Sequence, residues 1–376
     1  MRLYLHIGIF LLVSLIAVSY SFSQKKKSDK KHCIQLVTVV MTLFSGLRSW
    51  RMGDVYHYCH AFIQCNSESW RLDFESRDSI GTQIIYRLFG QMGMGFEICL
   101  FVIAAFSAIS LGYFVFRYSS SPYLSYLLYI GLGYYIFTMS ALKQTIAMAF
   151  IMWAMSAIIE SRKDKFLLFV ILAALFHPPA SIFLVAYFAA HKKTDKYYFI
   201  GLLVLTVSIM LLRDQIVSVA SNLYYEDEVK YNAAEYVGGK FIAMLAMLII
   251  SAVIHPLWDS NRIYRYLFNI MVIATMLQAF SVYDNVFTRL ADYYFQFSVV
   301  FVPLVLDSKL QSDYGGRLEC DGQRLPRKMR VVAYLLISIA ITMFYIQTLE
   351  SNVSLLSEFR FFWEVKGPSS LELMGR

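Results

Sequence analysis

Long apolar runs alternate with short bursts of charge along the whole chain. The runs are continuous, without the every-second-residue alternation of a half-buried strand. A helix that crosses a bilayer needs about 20 mostly apolar residues. It also satisfies its backbone hydrogen bonds within one segment, which a lipid-exposed strand cannot do alone. The pattern therefore predicts an all-α, polytopic integral membrane helical bundle.

The bursts set the order of the spans. Residues 3–23 are apolar and run into Lys25, Lys26, Lys27, Lys30 and Lys31. A leader cleaved after Ser23 is one reading, but it would carry that basic block across the membrane. A retained first span with its N-terminus outside is the expectation. Residues 34–47 lead out to a loop, 48–94, with five arginines, no lysine and five acidic residues. Its tail, 82–89, has helical apolar spacing suited to the membrane interface. Spans are expected at 95–116, 122–138 and 145–159, and after a basic loop (Arg162, Lys163, Lys165) the chain reaches a second one at 191–196.

Only residues 166–190 separate those two basic loops, the length of one span, yet both read as cytoplasmic. His177-Pro178-Pro179 stands at the middle, and proline interrupts a helix. Two short helices, 166–176 and 179–190, meeting at an outward break are expected, with a single kinked span as the alternative. Further spans follow at 197–212, 240–257, 266–281, 290–306 and 331–349, around an acidic outer loop at 213–239 and a strongly basic cytoplasmic loop at 307–330. The total is 11–12 transmembrane segments in one domain, residues 1–350, with a short extracytoplasmic tail, 351–376.

Composition narrows the function. Hydrophobic residues make up 58% of the chain and charged residues 16%, far below the quarter that a soluble domain carries. The net charge of +8 collects in inter-span loops, as the positive-inside rule requires. No basic soluble domain exists to grip a nucleic acid, so membrane lipids are the surrounding partner. The five cysteines lack zinc-type spacing. Cys59 and Cys65 share the first outer loop, as a disulfide or as two free thiols. With no clustered histidines and no outward Asp-x-Asp pair, no metal and no cofactor are expected.

This topology gathers one polar set on the outer face: Arg48, Arg51 and Asp54 after the second span, Lys143 and Gln144 at the head of the fifth, His177 at the break, and Asp284, Arg289 and Tyr293 around the 290–306 span. Ionisable groups near membrane depth are costly and point to function. Snorkelling arginines and lysines, a packed histidine and a turn aspartate are the structural roles open to the same residues. An arginine fork suits a phosphate. Cations at a lipid diphosphate would stabilise the charge that grows on it as a leaving group, and His177 or Asp54 could accept the proton of an attacking hydroxyl.

Five stretches carry a resemblance to a family: Gly46-Leu47-Arg48 with Gly53-Asp54 and Tyr58; Thr82 to Gly93; Lys143-Gln144-Thr145-Ile146-Ala147; Leu172 to Ala180 across Phe176-His177; and Arg289-Leu290-Ala291-Asp292-Tyr293-Tyr294-Phe295. In this order they resemble the EpsG-type, Wzy-like polysaccharide polymerases. The chain departs from that pattern in lacking a threonine between Gly53 and Asp54, in having Lys143 where arginine is usual, and in Pro178-Pro179 after the histidine. The resemblance implies a metal-independent membrane glycosyltransferase of the bacterial inner membrane. It would join capsular, O-antigen or exopolysaccharide repeat units carried on undecaprenyl diphosphate, facing the periplasm. It implies Arg48, Arg51, Lys143 and Arg289 as diphosphate contacts, Tyr58 and Tyr293 as sugar contacts or supports for the arginines, and a flippase and chain-length regulator of the same pathway as partners. A transporter of the same lipid-linked sugar would spread its polar groups about the midplane. A glycan ligase or an acyltransferase is the other alternative, the acyltransferase needing a donor path from the cytoplasm.

Overall fold

In the computed structural model, described residues comprise 2–22, 27–67, 72–73, 78–193, 238–254, 262–281, 285–306 and 326–365, with short pieces between 197 and 215. The described chain is helical, and its one isolated β-bridge pairs Arg48 with Phe361. It forms two compact units, Met1–Ser181 with Arg327–Arg376, and Ile182–Pro326.

The first unit contains α1 (Arg2–Phe22), α2 (Lys27–Gly46), α3 (Val55–Ser67), α4 (Ile80–Gln91), α5 (Phe96–Tyr118), α6 (Pro122–Gly131), α7 (Tyr134–Ser140), α8 (Leu142–Ile159) and α9 (Lys163–Phe176). The second contains α10 (Leu184–Ala190), α11 (Gly239–Ile254), α12 (Arg262–Gln278), α13 (Asn285–Phe295) and α14 (Ser298–Leu306). Back in the first unit, the chain continues as α15 (Arg327–Ser351) and a short α16 (Val353–Ser357).

Apolarity on all sides marks the central helices. In the first unit, α5 packs against α2 and α8, and α8 against α9. Along α8 almost every side chain is buried, small residues included, which suits a helix with no lipid- or water-facing stripe. By contrast, α15 packs on α6 along one side and leaves Leu335, Leu336, Ile339 and Met343 exposed. An apolar face of that length is what a bilayer covers. In the second unit, α12 is the hub, touching α10, α11, α13 and α14. Its Asn269 amide donates to the carbonyls of Ala189 and Lys192, at 2.9 and 3.0 Å, closing the end of α10.

Three helices, α5, α8 and α15, are long and apolar enough to cross a membrane, or up to four if the bent pair α13–α14 (51°) is one span. This is fewer than the 11–12 expected, counted among described residues. The difference lies partly in breaks. The expected span 122–138 divides at Leu132–Gly133 into α6 and α7. The expected span 34–47 begins earlier, at Lys27, so its helix carries Lys27, Asp29, Lys30 and Lys31. The expected span 197–212 lies largely outside the described residues, as do the loops 213–239 and 307–330 and Asp284. The expected interruption at His177 is present: α9 stops at Phe176, and a 3₁₀ turn, Pro178–Phe183, precedes α10.

Candidate functional site

Between α2 and α3 the chain is more ordered than its charges suggest. After α2 ends, Arg48 turns inward and is 1% exposed. Its Nε donates to the Met139 carbonyl at 3.0 Å, and Nη1 donates to the Ser45 carbonyl. These carbonyls belong to the last turns of α7 and α2, where partial negative charge collects. Nη2 has no hydrogen-bond partner, and no carboxylate pairs with the guanidinium among the described residues. Arg48 is therefore a buried cation that locks two helix ends, its charge met by carbonyl dipoles and by no carboxylate among the described residues.

The C-terminal segment closes over this arginine. Ser49 N donates to the Arg360 carbonyl at 2.7 Å, and Phe362 N donates to the Leu47 carbonyl at 3.0 Å. Phe359 is fully buried and stacks on Phe44, ring centroids 4.8 Å apart. Gly53, in the left-handed region at φ +50°, donates its N–H to a Glu358 carboxylate oxygen at 2.9 Å. A side chain there would meet both the strained φ and the Leu355 methyl that lies over it.

Past that turn, the Asp54 carbonyl accepts from His57 N at 3.0 Å and Tyr58 N at 3.3 Å, opening α3, with Asp54 itself exposed. Its backbone carbonyl thus makes the turn that opens α3. Arg51 is half-buried, its guanidinium 5.1 Å from the Trp50 ring centre. Cys59 and Cys65 are not joined by a disulfide and stand six residues apart on α3. Six residues rise about 9 Å along a helix, beyond the reach of a disulfide. Burial, then the nearby Glu97 carboxylate, pushes the Cys59 thiol up to about 12.

Lys143, in the first turn of α8, donates to Asp78 Oδ1 at 3.0 Å and lies 5.5 Å from the Tyr58 ring centre. Asp78 precedes α4, and its backbone carbonyl accepts from Gln83 Nε2 at 2.8 Å. The next residue, Ser79, donates its hydroxyl to the Phe176 carbonyl at 2.6 Å. That leaves the Thr82 hydroxyl as donor in its 2.8 Å bond to Ser79 Oγ. A Cβ on Gly81 would come within 2.9 Å of the Leu175 carbonyl oxygen, so α4 rests directly on the end of α9. His177 follows in extended geometry, φ −146° and ψ 98°, half-buried, its N–H on the Ala173 carbonyl at 2.9 Å.

The first unit thus brings together, from four distant stretches of sequence, Tyr58, Lys143 and the break at His177, with Asp78 and Ser79 between them. Met139, which Arg48 grips, lies four residues before Lys143. Asp78, Ser79 and the segment 358–362 are absent from the expected set. A serine directly ahead of an apolar-periodic run is the local signal for the start of α4. The pairing of 358–362 has no local signal. In the second unit, Arg289 is exposed on α13 and Tyr293 is fully buried. Beside them Lys240 donates to Asp292 at 2.8 Å and lies 5.5 Å from the Phe295 ring centre. Among the described residues no group of histidine, cysteine and carboxylate side chains could hold a metal ion.

These features define a class, a helical membrane protein with buried and half-buried cations beside aromatic rings. Residues 31–314 match the family model described as the EpsG family. The chain belongs to the EpsG family, with a polysaccharide polymerase-like role in polysaccharide biosynthesis. No curated protein and no solved structure matches it.

Proposed function

We propose that this protein is a glycosyltransferase that polymerises lipid-linked glycan repeat units at the outer face of the bacterial inner membrane. A glycan chain on undecaprenyl diphosphate is the donor, and a sugar hydroxyl of another lipid-linked unit is the acceptor. The observation that carries this reading is Arg48, a buried guanidinium with no carboxylate against it among the described residues. Such a charge makes the loop above it attractive to an anion. Arg51 and Lys143 contact the diphosphate from the partly exposed surface, and the buried charge of Arg48 adds its field. Arg289 and Tyr293, within the second unit, keep the anion-contact and supporting roles that the resemblance implies. Tyr58 offers a sugar a ring face, and Asp54 and His177 hold the acceptor side. The anomeric C–O bond to the diphosphate breaks as the acceptor oxygen bonds to the anomeric carbon, and the diphosphate leaves with the electron pair.

Membrane vesicles containing the protein are supplied with lipid-diphosphate-linked repeat units, and products are resolved by length. A ladder of polymer with release of lipid diphosphate supports the reading. Single repeats that move between leaflets without growing would make the protein a transporter and refute it.

A further inference from the structure

The acceptor hydroxyl must lose a proton, and the first unit holds a carboxylate suited to take it that lies outside the sequence-derived set. Asp78 is held at its carboxylate by Lys143 and at its backbone carbonyl by Gln83. Its Oδ1 accepts from Lys143 at 3.0 Å, and the two side chains stay 18% and 21% exposed. Gln83 Nε2 bridges the carbonyls of Asp73, at 2.7 Å, and Asp78, at 2.8 Å, which fixes the backbone beneath the carboxylate. The neighbouring Ser79 is bonded to the end of α9, one residue before His177. The Tyr58 ring centre lies 5.5 Å from Lys143 Nζ. Tyr86 forms the floor: it is 1% exposed, and its hydroxyl has no hydrogen-bond partner among the described residues. Burial first, then Cys99, Asp78, Tyr58 and Cys65, raise that phenol well above its ordinary value. It stays neutral, a fixed dipole under the pair.

An ionised carboxylate beside an aromatic face is the pairing that recognises a sugar: the carboxylate accepts from a hydroxyl, and the ring packs on apolar C–H faces. Resting on the polymerase reading above, we propose that Asp78 binds the attacking hydroxyl of the acceptor sugar and receives its proton. Lys143 acts as the positioning residue that keeps this carboxylate aimed, and Tyr58 carries the sugar ring. The balance is simple. The hydroxyl oxygen bonds to the anomeric carbon, the bond from that carbon to the diphosphate oxygen breaks, and the proton passes to Asp78. An ion-paired carboxylate is a weak base, but the proton moves late, when the oxygen already bonded to carbon is far more acidic than a carboxylic acid.

The test uses the full-length protein in vesicles with lipid-diphosphate-linked repeats, comparing wild type, Asp78→Asn and Asp78→Ala with and without sodium azide. Azide needs no base, so it substitutes for a deprotonated hydroxyl only where the base alone is missing. Both variants are expected to lose at least 100-fold in polymerisation. Azide should restore donor cleavage in Asp78→Ala, read as glycosyl azide and free lipid diphosphate by mass spectrometry. Polymerisation by Asp78→Asn within threefold of wild type overturns the proposal. So does an inactive Asp78→Ala that yields no glycosyl azide, the result of a purely structural ion pair. A wild-type protein that makes no polymer refutes the polymerase reading itself, and this outcome is separate from either variant result.

Discussion

Arg48 shows why one residue can serve structure and charge at once. Its two anchored N–H groups satisfy carbonyls at the ends of α2 and α7, so the guanidinium cannot swing out to solvent. Lysine at this position keeps the charge but reaches one carbonyl at a time and lacks the planar fork. Arg48→Lys is therefore expected to lose stability by about 1–3 kcal/mol, the cost of a buried acceptor left unpaired. Polymer yield should fall with it, by tenfold or more. Thermal unfolding in detergent and product length on a gel check both. A variant as stable and as active as wild type would remove Arg48 from the site. At this scale the sequence was readable where charge met a span end: Arg48, Lys143 and His177 each stand out from an apolar context. Asp78 did not, because a carboxylate in a loop of mixed charge looks like any solvated residue until its partner 65 positions away is known.

Among the helices, the contact of α4 with α9 carries the most consequence. The Ser79 hydroxyl bond to Phe176 and the close approach of Gly81 to Leu175 set the depth at which Asp78 meets Lys143. Gly81→Ala places a methyl against a backbone carbonyl that cannot move aside, so α4 must lift by several tenths of an ångström. The expected result is a stable protein, within about 1–3 kcal/mol of wild type, with polymerisation reduced at least tenfold. The KM for acceptor should rise more than that for donor. Equal loss in both would place the contact away from the acceptor. Much at this level was legible: the 82–89 periodicity foreshadowed α4, and the double proline foreshadowed the end of α9. Helix α3 was missed, since Tyr56 to Tyr58 and His60 mask its apolar stripe. Span lengths were overestimated wherever a turn such as Leu132–Gly133 divides a run whose composition stays apolar throughout.

For the molecule as a whole, the charge of the loops predicts sidedness. Reporter domains fused after residue 193 or within 307–330 should report the cytoplasm. Those fused after Ser67 or Asn352 should report the outer compartment. Alkaline phosphatase and fluorescent-protein fusions at these four points measure it directly, and a cytoplasmic signal after Ser67 would put the cation–aromatic site on the wrong face for the proposed reaction. Helical class and membrane character were evident from the apolar runs, whereas the division into two compact units was not, because no change in composition marks residue 182. The pairing of Arg48 with Phe361 adds a matter of timing. More than 300 residues separate the two sides of that contact, and at 5–20 residues per second translation needs about 15–60 s to cover them. Throughout that interval, in a nascent chain already threading into the bilayer, Arg48 lacks its cover, and a ribosome that stops short of Phe359 releases a protein whose first motif was made but never finished.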